Sequence, residues 1–231
     1  MIKAQLEEVR FQISEAAKKV GRDPKEITLI AVSKTYPSSA IEEAILEGCL
    51  DFGENHVQEL CQKIEEISEP VNWHLIGHLQ TNKVKYIVGK TQLIHSLDRL
   101  KLAEEIERQS EKKNIITKVL LEVNVANEAS KHGFKLEEVM NAVEQISQMK
   151  HIKVEGLMTV APFVENPEDN RTIFRKLYGL SVDIQNQKFD NISTSILSMG
   201  MSNDYKIAIE EGATMIRVGT AIFGNRDYSK A

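Results

Sequence analysis

The sequence predicts an α/β fold, an eight-stranded (β/α)8 barrel of the TIM type with one additional N-terminal helix, and three observations carry that prediction. Eight short apolar, β-branched runs alternate with longer segments of helical periodicity, the pattern of a parallel sheet covered on both faces. The runs begin between residues 27 and 214 at intervals of about 27 residues, the size of one βα unit. Nearly every run ends in polar or glycine residues, as expected when all strand ends face one mouth rather than flanking a single crevice of an open sheet. No Gly-x-Gly-x-x-Gly follows the first run, which removes the usual reason to prefer a dinucleotide-binding sheet.

The elements follow in order. Leu6, Val9, Ile13, Ala16, Ala17 and Val20 recur at helical spacing and predict an amphipathic helix over 3–20, closed by Gly21 with Pro24 just beyond. The strand runs are ITLIAVSK (27–34), LDFGE (50–54), VNWHLIG (71–77), TQLIHS (91–96), TKVLLEVNV (117–125), IKVEGLM (152–158), TSILSMG (194–200) and TMIRVG (214–219). Between them, helical patterns cover 40–47, 57–67, 82–88, 99–111, 136–149, 169–187 and 204–211. The segment 97–113 is charged and amphipathic, a solvated outer face, and VENPEDN (164–170) reads as loop. No Ser/Gly/Pro-rich linker divides the chain, so 1–231 reads as one domain.

Composition narrows the function. With 231 residues, 42% hydrophobic and 27% charged, the chain can bury a sizeable core and is not disordered. Lys and Arg number 29 against 34 Asp and Glu, a net charge of −5, and no basic run of five appears, so nucleic acid is not the expected partner. Cys49 and Cys61 lie in no metal or redox spacing and read as reduced, buried thiols of a cytosolic protein. The N-terminus lacks the apolar stretch of a secretory peptide and no run of eighteen apolar residues occurs, which predicts a cytoplasmic protein without membrane contact. No long apolar patch demands a partner, so a monomer is the default expectation.

Chemistry is expected at the strand ends. Lys34 closes the most apolar strand, where its amine would sit at the mouth and partial desolvation would free it to attack a carbonyl; the competing reading is a lysine with its head in solvent. The loops after strands seven and eight, at Met201-Ser202 and Gly219-Thr220, occupy the positions where barrels commonly bind phosphate through backbone N–H groups. Ser202-Asn203-Asp204 resembles a helix N-cap, and a short helix would start near Ala221. A Schiff-base amine facing a phosphate cradle suits pyridoxal 5′-phosphate, and equally a Schiff-base aldolase acting on a phosphorylated sugar. Arg217, on the last strand, would meet a pyridine nitrogen and keep it unprotonated, or else pair with Glu210 or Glu211. His74 and His78 are four apart on a strand-to-loop segment, not on one helical face, so no metal site is assigned, and Trp73 with GHLQTNK lines or caps the pocket.

As a set, AVSKTYP (31–37), FGENHVQEL (52–60), WHLIGHLQTNK (73–83), GLMTVAP (156–162), LSMGMSNDY (197–205) and IRVGTAIFG (216–224) resemble the pyridoxal phosphate homeostasis proteins, single-domain relatives of the alanine racemase N-terminal barrel. The resemblance covers nearly the whole chain. It implies a Schiff base between Lys34 and pyridoxal 5′-phosphate, and cofactor contacts at Asn55, Met199, Ser202, Arg217, Gly219 and Thr220. It also implies a cytoplasmic carrier or buffer of the cofactor, with PLP-dependent enzymes as clients and little or no turnover. Lys131 matches a loop lysine that some members use as a secondary cofactor site, whereas Tyr36 stands where many members carry a second lysine. The main rival is an amino-acid racemase, which needs a base on each face of the cofactor. Larger alanine racemases resemble this barrel plus a β-domain that supplies the opposing tyrosine. A chain ending at Ala231 is expected to lack that domain, leaving Tyr36 as the substitute to consider.

Overall fold

The apolar stripe foreseen near the N-terminus becomes α1 (Ile2–Lys19), with Ile2, Leu6, Val9, Ile13, Ala16 and Ala17 buried. The computed structural model describes residues 1–224; the segment 225–231 of the expected domain lies outside the described residues. Gly21 stops α1 because the closing turn requires φ +72°, and the N–H groups of Gly21 and Arg22 return to the carbonyls of Lys18 and Ala17. Arg22 then donates to the carbonyls of Ile209 and Ala213, which fastens the end of α1 to the far end of the chain.

Each apolar run contains a strand: β1 (Thr28–Val32), β2 (Asp51–Glu54), β3 (Asn72–Leu75), β4 (Leu93–Leu97), β5 (Thr117–Glu122), β6 (Ile152–Met158), β7 (Ile192–Met201) and β8 (Met215–Val218). Neighbours in sequence are neighbours in space, all parallel, and β8 closes on β1 with Thr28 beside Met215 and Ile30 beside Arg217. The closed (β/α)8 barrel is therefore the fold. The connecting helices are α2 (Ser38–Leu46), α3 (Val57–Glu66), α4 (Val84–Ile87), α5 (Leu100–Lys113), α6 (Leu136–Ile146), α7 (Arg171–Gln185) and α8 (Tyr205–Glu210), and α9 (Thr220–Phe223) follows β8. Two segments are less helical than their periodicity predicts: a 3-10 turn at Thr81–Lys83 leaves α4 one turn long, and Pro167–Asn170 forms another before α7.

Strand alternation sorts the side chains into two cores. Phe52, Trp73, Leu75, Ile94 and Leu157 face outward into the large layer shared with the helices. A smaller cluster of Leu93, Leu120 and Met158, with Ile196 and Met215, fills the barrel itself. Two residues further along the same strands, His95, Ser198 and Arg217 form a buried polar layer between that plug and the mouth. Among the described residues no helix is long and apolar enough to cross a membrane.

Candidate functional site

A cavity of about 470 Å³ opens at the C-terminal ends of the strands. Six of the seven residues expected at the site line it together: Lys34, Asn55, Ser202, Arg217, Gly219 and Thr220. Met199 does not: alternation along β7 turns Ser198 inward and Met199 outward, where its side chain is wholly buried in the helix-facing core. Lys131 lies elsewhere on the rim, paired with Glu128 at 2.8 Å and donating to the carbonyl of Val160.

The residues on either side of the half-buried Lys34 are gripped by a buried network. Lys63 of α3 extends a buried ammonium to the Ser33 carbonyl at 2.7 Å, to Glu54 Oε1 at 2.8 Å and to Glu59 Oε1 at 2.7 Å. Ser33 Oγ donates to the same Glu54 oxygen at 2.6 Å, and the Thr35 N–H donates to Glu59. Burial pushes the Glu54 carboxyl up, and the Lys63 charge beside it pulls it back. This network over-determines a turn in which Thr35, a β-branched residue, adopts φ +68°. Tyr36 is not in the cavity lining: its hydroxyl donates to the Gly224 carbonyl at 2.7 Å and its ring packs on Phe223, clasping α9 against the lysine loop.

Close backbone approaches shape the rest of the mouth. At Gly77 a Cβ would fall 2.4 Å from the Asn55 carbonyl oxygen, so only glycine lets the loops after β2 and β3 touch and place Asn55 at the rim. Ser202 Oγ accepts from the Gly219 N–H at 3.3 Å, joining the two loops expected to form the phosphate cradle. The expected capping role of Ser202 passes to a different arrangement. Asp204 is the residue at the N-cap of α8, and its carboxylate accepts from the Met201 N–H and from Asn170 Nδ2, bracing the β7 loop instead of the helix. The first N–H groups of α9, on Thr220 and Ala221, precede any intrahelical partner.

Arg217 is 4% exposed and pairs with neither Glu210 nor Glu211, which instead hold Lys19, Arg171 and Arg175. Its guanidinium donates to Ser198 Oγ at 2.6 Å and to the Thr159 carbonyl at 2.8 Å. Burial lowers it to about 10, leaving it cationic at neutral pH. Ser198 Oγ lies 3.0 Å from His95 Nδ1, His95 Nε2 lies 3.0 Å from His74 Nδ1, and His74 Nε2 lies 3.1 Å from Asp51 Oδ1. The donors and acceptors fix the ends of this chain. Arginine only donates and a carboxylate only accepts, so His74 carries hydrogen on Nε2. Desolvation, then the fields of His74 and Arg217, hold His95 well below its ordinary range and therefore neutral. A neutral His95 donates from one ring nitrogen and accepts at the other, linking Ser198 to His74. His74 and His78 thus part company, one inside the barrel and one at the rim.

Sequence reasoning passed over Glu122, the last residue of β5, which also lines the cavity. Its Oε2 is buried without a hydrogen-bond partner among the described residues, and burial, reinforced by Asp98, raises the carboxyl to about 7 despite the pull of Arg217. The signal was a lone carboxylate ending an otherwise apolar strand. Lys63, Glu54 and Glu59 carried none, because their meeting depends on how α3 lies across β1 and β2.

Residues 5–227 match the family described as alanine racemase, N-terminal domain. The pyridoxal phosphate homeostasis protein of Aquifex aeolicus is 46% identical over 224 residues, covering 96% of this chain and 97% of that one. Its counterpart in Escherichia coli K12 is 41% identical over 233 residues, covering 97% of each. Among solved structures, PipY of Synechococcus elongatus PCC7942 with PLP bound superposes with a TM-score of 0.85 at 34% identity, over 97% of this chain and 100% of that one. A closed barrel, a mouth bearing lysine and arginine, and identity of this extent along the full length place the chain among the pyridoxal phosphate homeostasis proteins of the alanine racemase N-terminal domain family.

Proposed function

We propose that this single barrel domain holds pyridoxal 5′-phosphate through a Schiff base on Lys34 and serves as a cytoplasmic, monomeric carrier or buffer of the cofactor for PLP-dependent enzymes, with little or no turnover of its own. The observation that carries the reading is that one cavity gathers Lys34, the buried cation of Arg217 and the joined Ser202 and Gly219 loops. These groups fit the cofactor: an amine for its aldehyde, backbone and hydroxyl donors for its phosphate, and a fixed cation for its ring nitrogen. When bound, the cofactor supplies an aldehyde that condenses with the Lys34 amine, and its carbonyl oxygen leaves as water. Asn55, Ser202, Gly219 and Thr220 orient the ligand from the rim. Met199, within β7, packs its side chain into the helix-facing core outside the cavity lining.

Two features favour storage over turnover. A guanidinium at the ring nitrogen keeps that nitrogen unprotonated and the ring a weak electron sink. Tyr36, the residue considered as a racemase's second base, is engaged with the Gly224 carbonyl outside the lining. Purified wild-type protein should be yellow, and borohydride reduction followed by peptide mass mapping should place the pyridoxyl group on Lys34. Lys34→Ala should be colourless with unchanged thermal unfolding. A chromophore that persists in Lys34→Ala, or a label that maps to Lys131, removes the assignment, and sustained conversion of L-alanine to D-alanine removes the storage role.

A further inference from the structure

We propose that His78, Asp98 and His132 form a binding site for a divalent transition metal of the zinc type on the rim of the barrel mouth. The three residues come from consecutive strand ends: His78 follows β3, Asp98 directly follows β4, and His132 lies in the loop after β5. Their ligand atoms all lie within 4.8 Å of one another. His78 Nδ1 is 2.9 Å and His132 Nδ1 is 3.7 Å from the same oxygen, Asp98 Oδ2. Neighbouring ligands of a tetrahedral ion with bonds of about 2.0 Å are about 3.3 Å apart, a spacing these two distances bracket.

Their rings stack with centroids 3.8 Å apart and planes at 19°, and both Nδ1 atoms approach one carboxylate oxygen; an ion shared by the two nitrogens requires one ring to turn out of the stack, so that the ion lies in the plane of each. A proton placed there serves one pair, whereas a metal ion serves all three groups. Asp98 is buried and fixed, and its other oxygen is held by the Arg99 guanidinium, which also donates to the Leu79 carbonyl at 3.0 Å. That is the outer support by which a ligating carboxylate is oriented. The side chains of His78 and His132 are 34% and 56% exposed, so an ion has an entry path.

Two imidazole nitrogens and one carboxylate oxygen select zinc, nickel or copper(II) over magnesium or calcium, which prefer oxygen ligands. Three protein ligands leave a fourth position for water or a ligand. His78 also lines the main cavity, so that position borders the space assigned to the cofactor. The Arg99 charge partly neutralises Asp98 and sets the affinity below that of closed structural zinc sites.

The test uses the tag-free chain, stripped with EDTA and free of cofactor, so the result does not depend on the Lys34 reading. Cobalt(II) titration should give visible ligand-field bands saturating at one ion per chain, and zinc should displace them. Replacing the exposed His132, as His132→Ala, should weaken cobalt binding about 10-fold or more without altering circular dichroism, and His78→Ala should do the same. His151→Ala, which removes a histidine paired with Glu107 elsewhere on the molecule, should leave it unchanged. Absent ligand-field bands, equal affinity in His132→Ala, or an equal loss in His151→Ala would overturn the site.

Discussion

The two basic residues of the mouth stand at adjacent strand ends, in surroundings built differently. Arg217 lies level with Ile30 of β1, deep in the barrel, whereas Lys34 sits four residues beyond Ile30 in the loop that follows that strand. The arginine is held by hydrogen bonds that run on through Ser198, His95 and His74 across the barrel to Asp51. Around Lys34 a buried ion network grips the peptide groups on either side. The difference is one of charge: a hydroxyl and imidazoles adjoin the arginine, whereas an ammonium and two carboxylates brace the lysine loop.

The lysine side should be the more fragile, because it concentrates buried charge. Lys63→Met strands the carboxylate of Glu54, wholly buried, against Glu59 and releases the Ser33 carbonyl. Breaking one partner of such a pair costs about 3–5 kcal/mol, so urea unfolding should show a loss of that size together with weaker cofactor retention. A loss below about 1 kcal/mol would mean that the network is not what holds the loop.

Glu122, in the same cavity lining and in the field of Arg217, gives the comparison a pH axis. Its folded value of about 7 lies above the ordinary 4.5, so the folded state holds the proton more tightly than the unfolded chain. The resulting stability is full below the unfolded value and is lost as pH rises toward 7. Glu122→Gln cannot lose it, so the variant should gain on wild type between pH 5 and pH 8, by up to about 3 kcal/mol. Parallel stability curves for the two proteins across that range would remove Glu122 from this account.

On the arginine side the expected cost is smaller, because Ser198→Ala removes one hydroxyl while the Thr159 carbonyl still accepts from the guanidinium. Ser198→Ala leaves Arg217 Nη1 without its acceptor and His95 Nδ1 without its partner, a penalty of about 1–3 kcal/mol. Nitrogen-15 spectra supply a sharper check. His74 should carry its proton on Nε2, facing Asp51, and His95 a single proton whose site shifts in Ser198→Ala. A His95 spectrum unchanged in Ser198→Ala would remove Ser198 from the chain.

Much of this was legible in the sequence, and what was not has a common cause. The eight apolar runs and the polar residues ending them depend on spacing along the chain, and they led to the barrel, to Lys34 and to the two joined loops. Met199 lies outside the cavity lining because motif matching does not register the face of a strand, and alternation from Ser198 turns its side chain outward. Lys63, the pair His74 and His95, and the rim triad of His78, Asp98 and His132 rest on how neighbouring βα units lie side by side. Spacing along the chain carries no record of that lateral register.

The smallest effect tests whether the lysine loop is strained or merely unusual. Thr35 holds φ +68°, a conformation in which a β-branched side chain crowds the backbone, while its N–H donates to Glu59. Its side chain is exposed, so a substitution there alters little else. Asparagine tolerates the left-handed region far better than threonine does. Thr35→Asn should therefore raise stability by about 0.5–1 kcal/mol while the Glu59 contact persists. If the ion network alone dictates the turn, the variant should retain cofactor as well as wild type does, since the position of Lys34 is unchanged. A gain in stability accompanied by cofactor loss would instead show that the strain itself sets the lysine, and that the two cations differ less in their restraint than the contacts indicate.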